Sequence, residues 1–467
     1  MSNESTRLIK VVNILDKVSP TFCIAKWSQT TLHLHNGRTH SCHHPRTHAV
    51  PLEELNEDPS ALHNTTYKKH QRKAMLDGER PAECQYCWNV EDLDGYKNKE
   101  FFSDRIIKSA SDWSLSKLKE VTEHPIANIN PSYVEVSFSN LCNFKCSYCS
   151  PVYSSRWTEE VENNGPYPTS NKFNNLEYYR DERVNEMPIH HKEHNPYVEA
   201  FWEWWPDLVE DLKVFRITGG EPLLHNDTFK ILDYLYDNPK PHLSFSVNTN
   251  ACVPDGKIDL FISKLQTLIA ENKIGDTQIF TSVDAHGTQA EYGRCGLDYD
   301  KWLANINKFL TELPKTRITI MCTTNILSIT TYDKLLKDVL DIKRKYYNAD
   351  LRRLPISLDV AILRHPQHQC VSILTDEYKT YMDSSLDFMN ANKNTLEVPG
   401  FHDYEITRLA RFIEFMKSPP NENENLDIPR MRRDFYKFMD EHDNRRRTNF
   451  LKTFPELENF YNACKDA

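Results

Sequence analysis

SNLCNFKCSYCSP, residues Ser139 to Pro151, sets Cys142, Cys146 and Cys149 in a C-x3-C-x2-C run. Three thiolates this close in the chain can hold three corners of one cubane iron–sulfur cluster. The fourth iron is then left without a protein ligand, open to bind a small molecule and pass it an electron. A structural zinc site calls for a fourth Cys or His nearby, and Ser150, Pro151, Val152 and Tyr153 offer none. The competing readings are a partly assembled zinc knuckle or three unrelated core thiols.

Some 70 residues on, FRITGGEPLL carries Gly219, Gly220, Glu221 and Pro222 at the end of a strand-like run, Leu212 to Thr218. Glycine has no Cβ, so the backbone there can approach a ligand closely, and Glu221 sets a carboxylate beside it, suited to an ammonium group. With these two motifs in this order, the chain resembles the radical S-adenosylmethionine (SAM) superfamily. The resemblance implies that Cys142, Cys146 and Cys149 hold a [4Fe-4S] cluster. It implies that SAM binds the open iron through its amino and carboxylate groups. Gly219, Gly220, Glu221 and Pro222 then contact the SAM amino group.

Around these motifs, strand-like runs at 133–138, 213–218, 243–248, 278–283, 317–323 and 356–363 alternate with amphipathic stretches at 228–236, 258–270, 299–313 and 331–346. Six βα units suggest an α/β fold with a parallel sheet and helices outside. The resemblance makes this a partial (β/α)6 TIM barrel, in which chemistry sits at the C-terminal strand ends. All six ends are polar: the cysteine loop, Gly219–Glu221, Asn248–Asn250, Ser282–Asp284, Thr323–Asn325 and Arg364–Pro366. By resemblance to SPASM-type members, Ser282 and Arg294 hold the SAM carboxylate and Asn250 lies near the ribose. An arginine fork suits both oxygens of a carboxylate; ordinary strand-end capping is the plainer alternative.

A second cysteine set precedes the barrel: Cys23, Cys42, Cys84 and Cys87, spaced C-x13-G-x4-C, a gap, then C-x2-C. The run between Cys23 and Cys42 alternates apolar residues around Asn36-Gly37, which reads as a hairpin that brings the two distant thiols together. From spacing alone, a four-cysteine zinc site and a four-ligand [4Fe-4S] cluster are both allowed. The pattern, with QRKAMLDGERPAECQYC (71–87) leading into its last pair, resembles the opening of the SPASM and twitch auxiliary-cluster domains. A full SPASM domain continues with further cysteines, and none lies between Cys87 and Cys142. The resemblance therefore implies a twitch-like unit holding one auxiliary [4Fe-4S] cluster, placed before the barrel rather than after it. His43 and His44 follow Cys42 closely enough to ligate, but four thiols already complete a site, so hydrogen-bonding roles are expected for them.

With 467 residues the chain exceeds a single core. The division expected is 1–125 for the auxiliary unit, 126–370 for the barrel with an insertion at about 152–195, and 371–467 for a helical extension. The insertion reads equally as a surface loop or as a substrate-facing lid. The aromatic-rich helix that follows it (195–212) reads as packing onto the sheet. Pro419-Pro420 and the NENEN run mark a linker inside the extension. Arg430, Arg432, Arg433 and Arg445–Arg447 make a basic stretch, expected to pair with neighbouring acids. Cys252, Cys295, Cys322, Cys370 and Cys464 read as buried small hydrophobes, with Cys295 beside Arg294 as a second-choice hydrogen donor.

Net charge is −10, so the surface as a whole does not attract nucleic acid. No apolar run approaches the about 20 residues needed to span a bilayer, and the first residues lack the apolar core of a signal peptide. Clustered cysteines fit metal ligation in a reducing, cytoplasmic setting. The expectation is an enzyme that cleaves SAM reductively to a 5′-deoxyadenosyl radical. That radical abstracts hydrogen from a peptide, small-molecule or nucleotide substrate, with an auxiliary cluster for substrate binding or electron transfer. A flavodoxin- or ferredoxin-like electron donor is implied. The rival from another class is a zinc-stabilised nucleic-acid-binding protein using the arginine stretch.

Overall fold

The computed structural model describes residues 3–170, 173–348, 354–395, 397–418 and 426–467. The linker expected at Pro419-Pro420 and NENEN lies outside the described residues. Among the described residues, eleven strands form two sheets: β1 Gln29–His33, β2 Arg38–His40, β3 His48–Ala49, β4 Tyr133–Ser137, β5 Lys145–Cys146, β6 Val214–Thr218, β7 Ser244–Thr249, β8 Thr277–Ser282, β9 Arg294–Cys295, β10 Arg317–Thr324 and β11 Ile356–Ile362. The main sheet runs β11-β10-β8-β7-β6-β4-β1-β2-β3. From β4 to β11 every pairing is parallel, with helices between successive strands. The result is mixed α/β with a parallel sheet, in the order expected for a partial barrel.

The strands alternate by face. Val134 and Val136, Phe215 and Ile217, Phe245 and Val247 are buried under the helices. Glu135 and Arg216 point the other way: Arg216 reaches Glu135 at 3.4 Å and Asn248 at 2.8 Å, and lies 3.7 Å from the Phe280 ring centroid. That face is the barrel interior, and its polarity explains why the strands read as alternating rather than as continuous apolar runs.

The 195–212 stretch is a helix over Pro196–Asp211, capped by Asn195 with Pro at its first turn. Phe201 and Trp205 are fully buried and stack toward Phe215, so this helix packs on the sheet as expected. In the C-terminal region, the helix Asp403–Lys417 covers β11. Its Glu405 accepts from the Leu358 backbone N–H at 2.7 Å and pairs with Lys343 at 2.9 Å, both side chains fully buried.

The N-terminal hairpin forms, with β1 and β2 antiparallel and Gly37 in the left-handed region at φ 65°. It is not detached from the barrel. β1 pairs in parallel with β4 over five residues, from Gln29 against Tyr133 to His33 against Ser137. The sheet therefore runs without a break across residue 125. The N-terminal segment does keep an apolar cluster of its own, around Leu15, Phe22, Trp27 and Ile106. Among the described residues, no helix is long and apolar enough to cross a membrane.

Candidate active site and second cysteine site

One pocket at the C-terminal ends of the barrel strands is lined by Cys142, Cys146, Cys149, Gly219, Gly220, Glu221, Asn250, Ser282 and Arg294. Pro222 sits just behind, buried at the start of a short 3-10 turn. The strand ends that the sequence marks as polar thus meet in space.

The cysteine loop is held by its backbone. β5 pairs antiparallel with β9, setting Cys146 against Arg294. The Cys146 carbonyl accepts from Trp157 Nε1 at 2.9 Å, and the Lys145 carbonyl from Arg446 at 2.7 Å. Gln369 holds Ser147 at both its hydroxyl and its carbonyl. Burial pushes the Cys149 thiol up to about 12, with the neighbouring Cys146 acting in the same direction. Burial raises Cys146 too, against which Arg294 and Arg446 pull down. Three desolvated thiols that repel one another's charge, beside two buried guanidiniums, suit a cationic iron–sulfur group that takes them as thiolates.

The two glycines serve the chain itself. A Cβ on Gly220 would fall 2.4 Å from the Leu141 carbonyl oxygen, and one on Gly219 would fall 2.6 Å from Ser137 Oγ. Gly219 also has φ 122°. Their bareness lets β6 press against the cysteine loop, where Gly220 and Glu221 donate backbone N–H bonds to Ser139 and Leu141. The close approach expected toward a ligand is here an approach of backbone to backbone.

Two of the side chains that the resemblance gives to SAM also have partners within the chain. The Glu221 carboxylate accepts from the Asn250 N–H at 2.6 Å, the Thr249 hydroxyl at 2.8 Å and the Leu223 N–H at 3.1 Å. It ties the ends of β6 and β7 together, and burial raises its pKa to about 7 against the pull of those three donors. The Arg294 fork is taken by Asp284, at 2.8 and 2.9 Å, and its remaining nitrogen lies 3.8 Å from the Cys146 sulfur. Tyr148 completes this group by donating to Asp284 at 2.8 Å. Asn250 donates to Asn143 in the cysteine loop at 2.8 Å. Tyr148 and Gln369 were not singled out from sequence, and Arg446 was read only as part of the basic stretch. Tyr148 lies inside the motif and was legible there; the other two come from more than 200 residues away with no local signal.

Beside this pocket opens a cavity of about 900 Å³ that shares Tyr148, Cys149 and Tyr153 with it. Its walls come from the 152–195 insertion (Phe173, Tyr178, Tyr179), the His365–His368 turn and the helix Ile428–Arg446. The insertion therefore faces the site. Within it, the helix Ser155–Asn164 packs Trp157 and Val161 into the core.

Cys23, Cys42, Cys84 and Cys87 line a second, smaller pocket with Lys26, His44 and Lys108. Lys108 donates to Cys42 Sγ at 2.9 Å, and Cys42 sits in the left-handed region at φ 66°. His44 bonds Asp104 at 2.6 Å and stacks on Tyr86, and His43 bonds Gln29 at 2.7 Å, which are the hydrogen-bonding roles expected of them. Among the described residues, no three or more Cys, His, Asp or Glu side chains converge in the pattern of a single-ion site.

Of the arginine stretch, Arg432, Arg445 and Arg446 turn inward, while Arg430, Arg433 and Arg447 are exposed. Arg446 pairs with Glu160 at 3.1 Å, both almost fully buried, and lies over Trp157. Arg445 donates to the Gly165 carbonyl and lies over Tyr167. Arg432 donates to the Ile373 and Leu374 carbonyls.

No family model matches the chain. Among curated proteins, a GTP 3',8-cyclase of Pasteurella multocida (strain Pm70) is 31% identical over 107 residues, 23% of this chain and 23% of that protein. The radical SAM cyclopropyl synthase TigE of Paramaledivibacter caminithermalis is 24% identical over 216 residues, 46% of this chain and 39% of TigE. The chain thus spans about a quarter to two fifths of the length of these curated relatives. Among solved structures, Streptococcus suis SuiB bound to S-adenosylmethionine overlaps 79% of this chain and 71% of its own, with a TM-score of 0.30 and 11% identity, a likeness too slight to argue from.

Proposed function

We propose that this chain is a radical SAM enzyme, a placement that its curated relatives support at a general level. In this reading Cys142, Cys146 and Cys149 hold a [4Fe-4S] cluster. Cys23, Cys42, Cys84 and Cys87 hold an auxiliary one in a twitch-like unit. When bound, the first cluster supplies one-electron cleavage of S-adenosylmethionine to a 5′-deoxyadenosyl radical that removes hydrogen from the substrate. The observation that carries the reading is the meeting of the three cysteines with Gly219–Glu221, Asn250, Ser282 and Arg294 in one pocket at the strand ends.

The chain's own residues position and insulate. Gly219 and Gly220 seat the strand end on the cysteine loop. Asn250 braces Asn143 of that loop, and Ser282 lines the pocket as a hydroxyl for the SAM carboxylate. Arg294, clamped by Asp284, holds positive charge against Cys146 instead of gripping SAM with its full fork.

The substrate then occupies the adjoining cavity. Its size is within the usual range for a small-molecule site. Among its described lining residues Arg430 is the single Lys or Arg, against Glu186 and Asp434. A triphosphate there meets one cation and two carboxylates, so the charge favours a peptide or an uncharged small molecule over a nucleoside triphosphate. The zinc-and-nucleic-acid alternative is left with half of its arginine face, because Arg432, Arg445 and Arg446 bind the chain itself.

The test is anaerobic reconstitution with iron, sulfide and zinc analysis, followed by dithionite and SAM. About eight irons and release of 5′-deoxyadenosine are expected. About four irons with activity removes the auxiliary cluster, and zinc without SAM cleavage overturns the proposal.

A further inference from the structure

One wall of the cavity beside the cysteine pocket is built by a single turn of the 152–195 insertion. Asn175 caps the short helix Leu176–Arg180, which carries Tyr178 and Tyr179. Beyond it Asn185 takes the left-handed region at φ 43°, and the chain folds back so that the Glu186 N–H bonds the Tyr179 carbonyl at 3.0 Å. Asn36 of the N-terminal hairpin then donates to the Glu186 carbonyl at 3.2 Å. Glu186 is thereby fixed at both of its backbone polar groups. It lines the cavity together with the rings of Tyr153, Phe173, Tyr178 and Tyr179. Tyr178 and Tyr179 meet edge to face at 5.3 Å.

The Glu186 carboxylate is left open. Among the described residues its one charged partner is Arg38, whose Nε lies 3.9 Å away. The Arg38 fork is already taken by Thr47 and by the Val184 and Asn185 carbonyls. Burial raises the Tyr153 and Tyr179 hydroxyls, and the Glu186 charge acts on both in the same direction, so the carboxylate lies beside both rings. Tyr153 and Tyr178 remain 47% and 43% exposed, so their faces are open to a ligand.

The rest of the lining adds little positive charge. Asp434, the second carboxylate, accepts from the Ser170 N–H at 2.8 Å and from its hydroxyl. Burial holds His368 down to about 4 against the pull of Asp434, so that ring is neutral at pH 7, and its Nδ1 has no partner in the chain. Arg430 is exposed on the opposite element, the helix Ile428–Arg446. A phosphate or carboxylate ligand would meet Glu186 with the same sign. An organic cation meets an acceptor for its N–H groups and the negative faces of aromatic rings for its charge and methylenes.

We propose that this wall selects a substrate bearing an ammonium or guanidinium group, held between the Glu186 carboxylate and the rings of Tyr153 and Tyr178. That the cavity holds a substrate rests on the radical SAM reading; the cation site rests on the wall itself. Because Tyr153 lines both the cavity and the cysteine pocket, the carbons next to the bound cation are the ones brought nearest to that pocket.

The test is equilibrium dialysis of the reconstituted full chain with SAM against N-acetyl tripeptide amides that carry lysine, arginine or norleucine between two glycines. Norleucine keeps the methylenes and lacks the charge. The better of the two charged peptides is expected to bind about tenfold tighter than the norleucine peptide. Glu186→Gln should abolish that preference, while iron content and melting stay as in wild type, because the carboxylate holds no hydrogen bond that the fold needs. Arg430→Gln removes the opposing charge and should enlarge the preference. Tyr178→Leu should reduce it several-fold. n-Butylamine, the lysine side chain alone, tells the source: binding as tight as the lysine peptide makes the ligand a free amine, weaker binding makes it a peptide, and both uphold the site. Equal binding of charged and norleucine peptides, binding of none, or a preference that survives Glu186→Gln overturns it. Release of 5′-deoxyadenosine on the same samples keeps the two readings apart. Release without a charge preference removes the cation site and leaves the enzyme reading standing. A charge preference without release keeps the site and removes the enzyme reading.

Discussion

Glu221 shows how one motif side chain also serves the fold. Its carboxylate is fully buried and joins two strand ends, and burial outweighs the three donors around it. A folded pKa raised to about 7 means that the folded state holds the proton more tightly than the unfolded chain does. That stability is fully present below the unfolded carboxylate range and is lost as pH rises through about 7. A shift of this size corresponds to a few kcal/mol, of order 3. Thermal melts of the iron-free protein under argon should therefore fall between pH 5 and pH 8. Glu221→Gln should melt lower at pH 5 and stay flat; a parallel fall in the variant would assign the pH dependence elsewhere. Gly220 gives a second residue-scale expectation. Gly220→Ala drives a methyl into the Leu141 carbonyl and should cost about 1–3 kcal/mol, with iron bound per chain dropping after reconstitution. Gly256→Ala, at the start of a helix with nothing within 4 Å, is the control and should bind iron as wild type does. The glycines and the carboxylate were legible as a site, because their residue types stand out against a glycine-poor chain. Whom they contact was not legible. That depends on Leu141 and Asn250, whose side chains give no sequence clue that their backbones approach.

At the scale of elements, the six strand bounds read from sequence agree with β4, β6, β7, β8, β10 and β11 to within one residue, while the short β5 and β9 were not read. Buried aliphatics bounded by polar ends leave little freedom there. The helix Ile428–Arg446 is the opposite case: its helical pattern was plain, and its arginines read as pairing with neighbouring acids, as Arg445 does with Glu441 at 2.6 Å. Arg446 is instead buried on Glu160, under Trp157 and against the Lys145 carbonyl. Arg446 and Lys145 pull Glu160 down to about 2 against burial, so this link weakens only as pH falls below the usual carboxylate range toward that value. Arg446→Met leaves a buried carboxylate without its main partner and should cost about 3–5 kcal/mol. It should also loosen the cysteine loop. Iron retention during dialysis against a chelator measures the second effect separately from melting. Arg446→Lys should recover part of both. A variant that melts early but keeps iron as firmly as wild type would confine Arg446 to stability.

At the scale of the whole molecule, the three regions marked off in the sequence interlock. The C-terminal region covers β11, walls the cavity beside the cysteine pocket and pins the cysteine loop. Removing residues 371–467 should therefore give a chain that is digested throughout by a trace of protease, where a removable appendage would leave a resistant barrel. The length of the chain pointed to more than one core, and the buried residues described fall into more than one apolar cluster. The parallel pairing of β1 with β4 across 100 residues had no signature, since a register between distant strands is written in neither one alone.

That pairing has a consequence for anyone who wishes to exchange parts between this chain and its relatives. Five residues of shared ladder fix where the upper cysteine loop stands relative to Cys23 and Cys42. A slip of one residue would move one end past the other by about 3.3 Å and turn His33 to the opposite face. The first 125 residues are therefore not a cassette. A chimera that takes its N-terminal unit from another source has to bring β4 with it, cut beyond Ser137, and inherit the donor's spacing between the two cysteine sets.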